Sequence, residues 1–404
     1  MKKQYLMTER AHFMCPNMHF GILMEIEKEY DKEAMKTSLL HLADAHPFLK
    51  SLITYENGTD RLYYRVTGES KIDVVVRENK AAVWADYEEL SKQNWNVFEK
   101  GLLKVYVCPE KDGMTVLFAA HHLLADGRGL LELSQEFARD YVKGIVPAYA
   151  EENLMESIDD LPEGSRLSGI GKLLVRQANK QWVKENHKVS YEQYEDFVKQ
   201  YAEKNRVSYE TYEADKEALQ RMKELCKANG FSINDLLMAY VYLRKGTKKI
   251  VIASDVRNVI SNYNKGALGN YATAMGISCN AKTTDVTEMA KKVHKAVQKH
   301  MKKNSKLMLV LACYFEMSPT LLDAAVISTI GEFESKAGHF VGEGMLGYGQ
   351  PDSYSITNLG KIENDCIKSV MFIPPASPIA KFTLGVVTLN EEMRLCSSVN
   401  KRAL

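Results

Sequence analysis

The stretch that decides the fold is His121-His122-Leu123-Leu124-Ala125-Asp126-Gly127. The residues before it, Met-Thr-Val-Leu-Phe-Ala-Ala at 114–120, form an apolar run that predicts a buried strand. Beyond Gly127 the large apolar residues recur at helical spacing, at Leu130, Leu131, Leu133, Phe137 and Tyr141. Proteins built from alternating strands and helices often place their chemistry where a strand ends and a helix begins. This stretch is therefore the first candidate for a functional site.

Within the stretch, neighbouring strand residues project to opposite faces, so His121 and His122 cannot both point into one pocket. A histidine suits a general base because its ordinary pKa of about 6.5 leaves a neutral ring at pH 7. Asp126 is placed either to hold the turn or to pair with a cation from another segment, and Gly127 permits a sharp chain reversal. The alternative is a pair of structural histidines. The pattern H-H-x-x-x-D-G would arise by chance in a chain of this composition only on the order of one time in a thousand. This low probability favours the functional interpretation.

Working outward, both halves of the chain alternate strand and helix patterns. The first half predicts a strand from Phe20, a helix over 31–45, and hairpins over 51–66 and 102–120. The second half predicts a helix over 216–228, a helix capped by Ser232, a strand over 249–254, a helix over 285–303, a glycine-rich loop over 342–349 and a hairpin over 381–399. We therefore predict an α/β (α+β) protein with an N-terminal lobe at 1–150, a partly helical linker at 151–205 and a C-terminal lobe at 206–404.

Composition excludes several classes of function. The net charge of +1, with 26% charged residues, provides no general field for nucleic acid or an anionic membrane. No window approaches the roughly 20 apolar residues that a membrane span needs. The seven cysteines include no C-x-x-C pair, which argues against a disulfide framework and a structural zinc site. We expect a cytoplasmic protein without a metal, a membrane span or a nucleic-acid partner.

The segment Ala119-Ala-His-His-Leu-Leu-Ala-Asp-Gly127 resembles the signature of the chloramphenicol-acetyltransferase-like superfamily, which includes condensation domains of nonribosomal peptide synthesis and alcohol acetyltransferases. Further segments are similar to family positions across nearly the whole chain, although the histidine motif alone is specific. They are Leu42-Ala-Asp-Ala-His-Pro-Phe-Leu-Lys50, Trp95-Asn-Val-Phe-Glu-Lys-Gly-Leu-Leu-Lys-Val105, Ser254-Asp-Val-Arg-Asn258, Leu268-Gly-Asn270 and Ile356-Thr-Asn-Leu-Gly360.

The resemblance implies two sandwich lobes arranged in a V around a central substrate tunnel. It implies that His122 is the general base, and that His121, Asp126 and Gly127 belong to the structural part of the motif, with Asp126 paired to Arg257. Two interpretations remain open for Asn358 and Gly360. They line the tunnel near a developing oxyanion, or they form a turn that ends a strand.

The function that the resemblance implies is acyl transfer from a thioester, carried by coenzyme A or by a phosphopantetheine arm of a carrier protein, to a small hydroxyl or amine acceptor. Such an enzyme needs no tightly bound cofactor and forms no covalent intermediate. The alternatives are a stand-alone amide-forming condensation enzyme that acts on substrates bound to carrier proteins, and a non-catalytic binding member of the fold. The lysines of the 285–303 helix form either a solvated face or a surface for an anionic donor.

Overall fold

The computed structural model describes residues 2–280, 282–350 and 352–402. The strands in these ranges are β1 (His19–Ile26), β2 (Ser51–Tyr55), β3 (Leu62–Val66), β4 (Asp73–Val76), β5 (Leu103–Glu110), β6 (Gly113–His121), β7 (Asn205–Ala214), β8 (Lys249–Asp255), β9 (Ala272–Ser278), β10 (Tyr354–Ile362), β11 (Ser369–Ile373), β12 (Phe382–Leu389) and β13 (Glu392–Arg402).

The same ranges contain the helices α1 (Lys32–Ala45), α2 (Lys80–Glu89), α3 (Gly127–Lys143), α4 (Gly169–Glu185), α5 (Tyr191–Lys204), α6 (Lys216–Asn229), α7 (Ile233–Lys245), α8 (Val286–Met301), α9 (Asn304–Leu307), α10 (Leu309–Glu316), α11 (Pro319–Ile330) and α12 (Lys336–His339). A short 3-10 helix at Thr8–His12 precedes β1, and a π-helical segment at Phe340–Leu346 continues α12. The prediction of a mixed α and β protein is confirmed.

The first sheet belongs to the N-terminal lobe and has the order β11-β1-β6-β5-β4. Strand β6 lies at its centre and is buried along its whole length, as the apolar run predicts. Helices α1 and α3 pack on one face, and α2 covers the other through Val83 and Tyr87. The edge strand β11 comes from the C-terminal part of the chain, with Ile373 opposite Gly21. The two lobes are therefore joined by β11, which completes the sheet of the N-terminal lobe. The domain boundaries at 150 and 205 stay a prediction.

The second sheet belongs to the C-terminal lobe and has the order β7-β13-β12-β10-β8-β9. Strand β10 runs parallel to both of its neighbours, β12 and β8, so the carboxyl ends of these three strands point the same way. The end of β8 with the turn after it, and the middle of β10, carry the segments 254–258 and 356–360 to the side where the first lobe presents β6 and α3. This arrangement positions the candidate site between the two sheets.

The prediction of a glycine-rich loop over 342–349 is wrong for its first half, because residues 340–346 are helical. Gly342 lies so close to α11 that a Cβ atom there would be 2.0 Å from the hydroxyl oxygen of Thr329. The glycine therefore serves close packing of two helices and does not break the chain. Sequence reasoning also missed β4, β7, β9 and β11, each of which lies at the edge of a sheet.

Within the described ranges, no single helix has both the length and the apolar character needed to cross a membrane, although α10 and α11 meet that test together as a pair bent by 110°.

Candidate active site

The predicted strand-turn-helix arrangement around the histidine motif is present. Strand β6 ends at His121 and helix α3 begins at Gly127. Asp126 caps α3, since its Oδ1 accepts a hydrogen bond from the backbone N–H of Gly129 at 2.9 Å. Capping satisfies one of the free amides at a helix start, and the negative charge also suits the positive end of the helix dipole. The turn between the two elements holds His122.

Asp126 also ties the two lobes together. Its Oδ1 lies 2.9 Å from Nη2 of Arg257, and its Oδ2 accepts the N–H of Tyr271 at 2.8 Å. Burial raises the pKa of Asp126, but Arg257 and the backbone donors more than offset this, so the pKa lies below its ordinary value. The contact with Arg257 that the family resemblance implies is present, and both side chains are buried.

The expected role of Gly127 needs a correction. The φ angle of Gly127 is not positive, so the glycine is not required for a sharp chain reversal. A Cβ atom at this position would lie 2.9 Å from Cδ2 of Leu359 and 3.2 Å from the ring of Phe372. Gly127 therefore lets the start of α3 approach β10 and β11 closely.

The two histidines have different neighbours, as strand alternation predicts. The ring of His121 is buried against Trp95, and its Nδ1 accepts the N–H of Leu123 at 3.2 Å. Burial, together with smaller contributions from the neighbouring rings of His122 and His19, lowers the pKa of His121 to about 3. His121 is thus a neutral histidine enclosed in the protein interior.

His122 is oriented by Asn270, in the loop before β9. The amide Nδ2 of Asn270 donates to the backbone oxygen of His122 at 2.7 Å, which leaves Oδ1 to face the ring. That oxygen lies 2.7 Å from Nδ1 of His122, so Nδ1 must carry the proton. Nε2 has no hydrogen-bond partner among the described residues and is not enclosed. The ring therefore offers an unprotonated nitrogen to a substrate.

The faces of the His122 ring are covered by two aromatic side chains. His12 stacks on it with a centroid separation of 4.4 Å and an interplanar angle of 25°, and Phe20 lies 4.9 Å away at 52°. Burial lowers the pKa of His122, while Asn270 and the charge of Asp126 partly oppose the shift. The net direction keeps the ring neutral, and able to accept a proton, at pH 7.

A cavity of about 400 Å³ opens beside His122 between the two lobes. It is lined by Phe20, His122, Asp126, Gly127, Arg128, Glu132, Ala253, Asp255, Arg257, Asn258, Tyr263, Ala272, Thr357, Asn358, Leu359, Phe372 and Pro375. Its charged groups largely neutralise one another, because Arg128 pairs with Glu132 and Arg257 with the two aspartates. The cavity thus combines apolar walls with a few polar groups, as small-molecule sites do.

Asn358 and Gly360 form a turn at an irregularity within β10. The N–H of Gly360 donates to Oδ1 of Asn358 at 2.9 Å, and Gly360 has a φ angle of +80°. Asn358 lines the cavity, whereas Gly360 is not among the lining residues. The turn is therefore present, but it does not end the strand as predicted, because β10 continues to Ile362. A role of Asn358 at an oxyanion stays a prediction.

Sequence reasoning assigned no role to Asn270 or His12. Asn270 lies in the Leu268-Gly-Asn270 segment that resembles the family, so a signal existed, but the partner of its amide could not be read from the sequence. His12 gave no signal, because it lies 110 positions before His122. Among the described residues, no group of three or more His, Cys, Asp and Glu side chains is arranged to hold a metal ion.

Comparison with known proteins gives one sequence relative and several structural ones. No protein-family model matches the chain. A stretch of 130 residues is 26% identical to surfactin synthase subunit 1 of Bacillus subtilis (strain 168). The match covers 30% of this chain and 4% of that protein, so the chain corresponds to a small part of that relative's length.

The solved structures cover nearly the whole chain. The trichothecene 15-O-acetyltransferase of Fusarium sporotrichioides aligns with a TM-score of 0.63 at 12% identity, covering 98% of this chain and 88% of that one. The condensation domain of the monacolin K polyketide synthase aligns with a TM-score of 0.60 at 12% identity over 98% and 91% of the two chains. The epimerization domain from the third module of tyrocidine synthetase B gives 0.59 at 14% identity over 95% and 86%. The chain therefore has the two-lobed chloramphenicol-acetyltransferase-like fold that condensation domains and acetyltransferases share.

Proposed function

We propose that the chain is an acyltransferase that moves an acyl group from a thioester to a hydroxyl or amine acceptor, with His122 as general base. One observation carries this proposal. Nε2 of His122 is unprotonated and free beside the cavity between the lobes, while Asn270 holds the ring by its other nitrogen. An orienting partner on Nδ1 and a substrate-facing Nε2 are what proton transfer by histidine requires.

The chemistry follows from this geometry. Nε2 removes the proton from the acceptor as its oxygen or nitrogen attacks the thioester carbonyl carbon. The carbon–sulfur bond of the tetrahedral intermediate then breaks, and the leaving thiolate receives this proton from the imidazolium. During its short life the imidazolium is stabilised by the Asn270 carbonyl oxygen and by the charge of Asp126. The enzyme forms no covalent bond to the acyl group, and both substrates gain reactivity from being held together.

We propose that Asn358 stabilises the oxyanion. Its Oδ1 is occupied by the N–H of Gly360, which leaves the side-chain NH₂ free to donate into the cavity that it lines. A donor aimed at the developing negative charge typically contributes about 10²- to 10³-fold to the rate. Asp126 has a structural role, because both of its oxygens are already bonded to Gly129, Arg257 and Tyr271.

The donor in this proposal is an acyl-CoA or an acyl group on the phosphopantetheine arm of a carrier protein, and neither is a tightly bound cofactor. A second candidate function is an amide-forming condensation enzyme that draws its substrates from separate carrier proteins. The condensation and epimerization domains among the structural relatives favour this candidate. We propose that the exposed lysines of α8 contact an anionic donor, while the apolar residues Met289, Ala290 and Val293 face the interior.

The test is a thiol-release assay on the full chain with a panel of acyl-CoAs and acyl carrier proteins and mixed alcohol and amine acceptors. We expect turnover by the wild type and a loss of about 10³-fold or more in kcat for His122→Ala, with circular dichroism and melting temperature unchanged. His300→Ala, a histidine of α8 outside the cavity lining, is the matched control and should keep full activity. Full activity of His122→Ala, or no turnover of any thioester, would refute the proposal.

A further inference from the structure

The N-terminal segment Thr8–His12 reaches the site although it belongs to neither the motif nor the cavity lining. It is fixed by interior contacts. Arg10 is buried, with its Nε donating to Oδ1 of Asp323 at 2.7 Å and its Nη1 to the backbone oxygen of Asp60 at 2.9 Å. The next residue of the chain after this segment, Phe13, is also buried. His12 is therefore held in place by its neighbours in sequence, and its own ring is not needed as an anchor.

The ring of His12 has an unusual combination of contacts. It stacks on the ring of His122 at a centroid separation of 4.4 Å. Neither of its nitrogens hydrogen-bonds to a described residue, and neither is enclosed, because the side chain is only half-buried. These accessible nitrogens are free to hydrogen-bond to water or to a molecule that enters the site, which an apolar ring stacked in the same place could not do.

The charge state of His12 defines what that partner can be. Burial lowers the pKa of His12 well below its ordinary value, and the rings of His122 and His121 lower it further. The ring is therefore neutral at pH 7, with one nitrogen that donates a hydrogen bond and one that accepts. Such a ring suits a hydroxyl or an amine and has no charge to attract a phosphate or a carboxylate.

We propose that His12 belongs to the acceptor subsite, where a ring nitrogen hydrogen-bonds to a second polar group of the acceptor, next to the hydroxyl or amine that His122 deprotonates. The proposal rests on the proposed function. The acceptor is the substrate that must touch Nε2 of His122, so its neighbouring atoms lie beside a ring stacked 4.4 Å away. That spacing suits polar groups on adjacent or next-but-one carbon atoms. The substrate class is thus a diol or an amino alcohol.

The experiment compares matched acceptors with the acyl thioester that the wild type uses best. The acceptors are hexan-1-ol, hexane-1,2-diol, 2-aminohexan-1-ol and hexane-1,6-diol, whose second hydroxyl is too distant. We expect wild-type kcat/KM to favour the two vicinal acceptors by about fivefold to tenfold, the effect of one hydrogen bond. In His12→Phe, which keeps an aromatic ring against His122, this preference should disappear, so that the ratio of kcat/KM for a vicinal acceptor to kcat/KM for hexan-1-ol falls to about one. His12→Gln should restore part of it, because it can donate and accept.

Each other outcome counts against the proposal. A wild type without preference for the vicinal acceptors, or a His12→Phe enzyme that keeps the preference, would overturn it and leave the acyltransferase proposal intact. Equal losses for all four acceptors in His12→Phe and His12→Gln would assign His12 a purely structural role. No turnover by the wild type would overturn the proposed function and this proposal with it. His187→Phe, at an exposed histidine that contacts Trp182 and Phe333, is the matched control and should leave selectivity unchanged.

Discussion

Two buried arginine–aspartate pairs join the first part of the chain to the second, and they differ in what else the carboxylate binds. Asp126 accepts hydrogen bonds from Arg257 and from the backbone of Gly129 and Tyr271. Among the described residues, Asp323 accepts only from the guanidinium of Arg10. Burial raises the pKa of Asp323 more than Arg10 lowers it, whereas the additional donors bring the pKa of Asp126 below its ordinary value. A buried carboxylate is thus kept ionised by the number of its donors as well as by its cation.

The two aspartates also support different parts of the site. Asp126 caps the helix that follows His122, so its donors belong to the framework of the site. Asp323 lies in α11 and holds the N-terminal segment that carries His12. Replacing a buried ion pair by apolar groups is often neutral when no other polar atom loses its partner. The two pairs should therefore respond differently to the same substitution.

The largest expected effect is on stability. Asp126→Leu combined with Arg257→Met leaves the N–H groups of Gly129 and Tyr271 without a partner, and we expect a loss of about 2–6 kcal/mol. Arg10→Met combined with Asp323→Leu strands no backbone donor, and the Asp60 oxygen that loses Arg10 belongs to an exposed residue and can bond to water instead. This double variant should change the free energy of unfolding by about 1 kcal/mol or less. Urea unfolding followed by circular dichroism measures both. Equal losses would show that the backbone donors do not distinguish the pairs.

The next effect is on catalysis. In Asp126→Asn one side-chain oxygen becomes an NH₂ group that cannot accept, so one of the donors around it loses its partner and the turn that carries His122 shifts. We expect kcat to fall about tenfold to a hundredfold with a smaller change in KM. Asp323→Asn, remote from the cavity lining, should leave kcat within about twofold of wild type if the fold is retained. The thiol-release assay under saturating substrate measures kcat for both variants. A similar drop in kcat for Asp126→Asn and Asp323→Asn would contradict the assignment of Asp126 to the framework of the active site.

The pH profile provides a third comparison. The pKa of His122 lies below its ordinary 6.5, so activity should persist below pH 6.5 and fall only when the ring takes up a proton. The charge of Asp126 raises the pKa of His122, so Asp126→Asn should move the acidic limb of kcat/KM to lower pH. Asp323→Asn should not move it. A shift to higher pH in Asp126→Asn would mean that Asp126 does not act on His122 through its charge.

The smallest effect concerns Glu9, another buried carboxyl, which neighbours Arg10 in sequence. One of its oxygens has no hydrogen-bond partner among the described residues. Burial raises its pKa to about 7, so the folded protein binds its proton more tightly than the unfolded chain does. Its contribution to stability is complete below pH 4.5 and is lost as pH rises through about 7. Glu9→Gln should therefore raise the melting temperature at pH 8 by about 1–2 °C and leave it unchanged at pH 4.5. An equal change at both pH values would contradict the buried, protonated state.

Much of this fold was predictable because the relevant signals are local. Strand β6, the hairpin β5–β6, helix α3 and the second hairpin β12–β13 follow from apolar periodicity and turn residues. Strands β4, β7, β9 and β11 were missed. All four lie at the edge of a sheet, where a short or partly exposed strand carries a weak pattern and owes its conformation to its neighbours. The pairing of β11 with β1 joins residues about 350 positions apart, and no local pattern encodes such a contact.

The sequence by itself determined the strand-turn-helix motif, the separation of His121 from His122 by strand alternation, and, through family resemblance, the pairing of Asp126 with Arg257. Only the tertiary structure decided that Asn270 sets the protonated nitrogen of His122, that His12 stacks on its ring, and that Gly127 is needed for space and not for its φ angle. The physical reason is the distance along the sequence over which each interaction acts. Periodicity and capping act over a few residues, whereas the orientation of a ring and the room beside a glycine depend on atoms that the folded chain brings from far away in sequence.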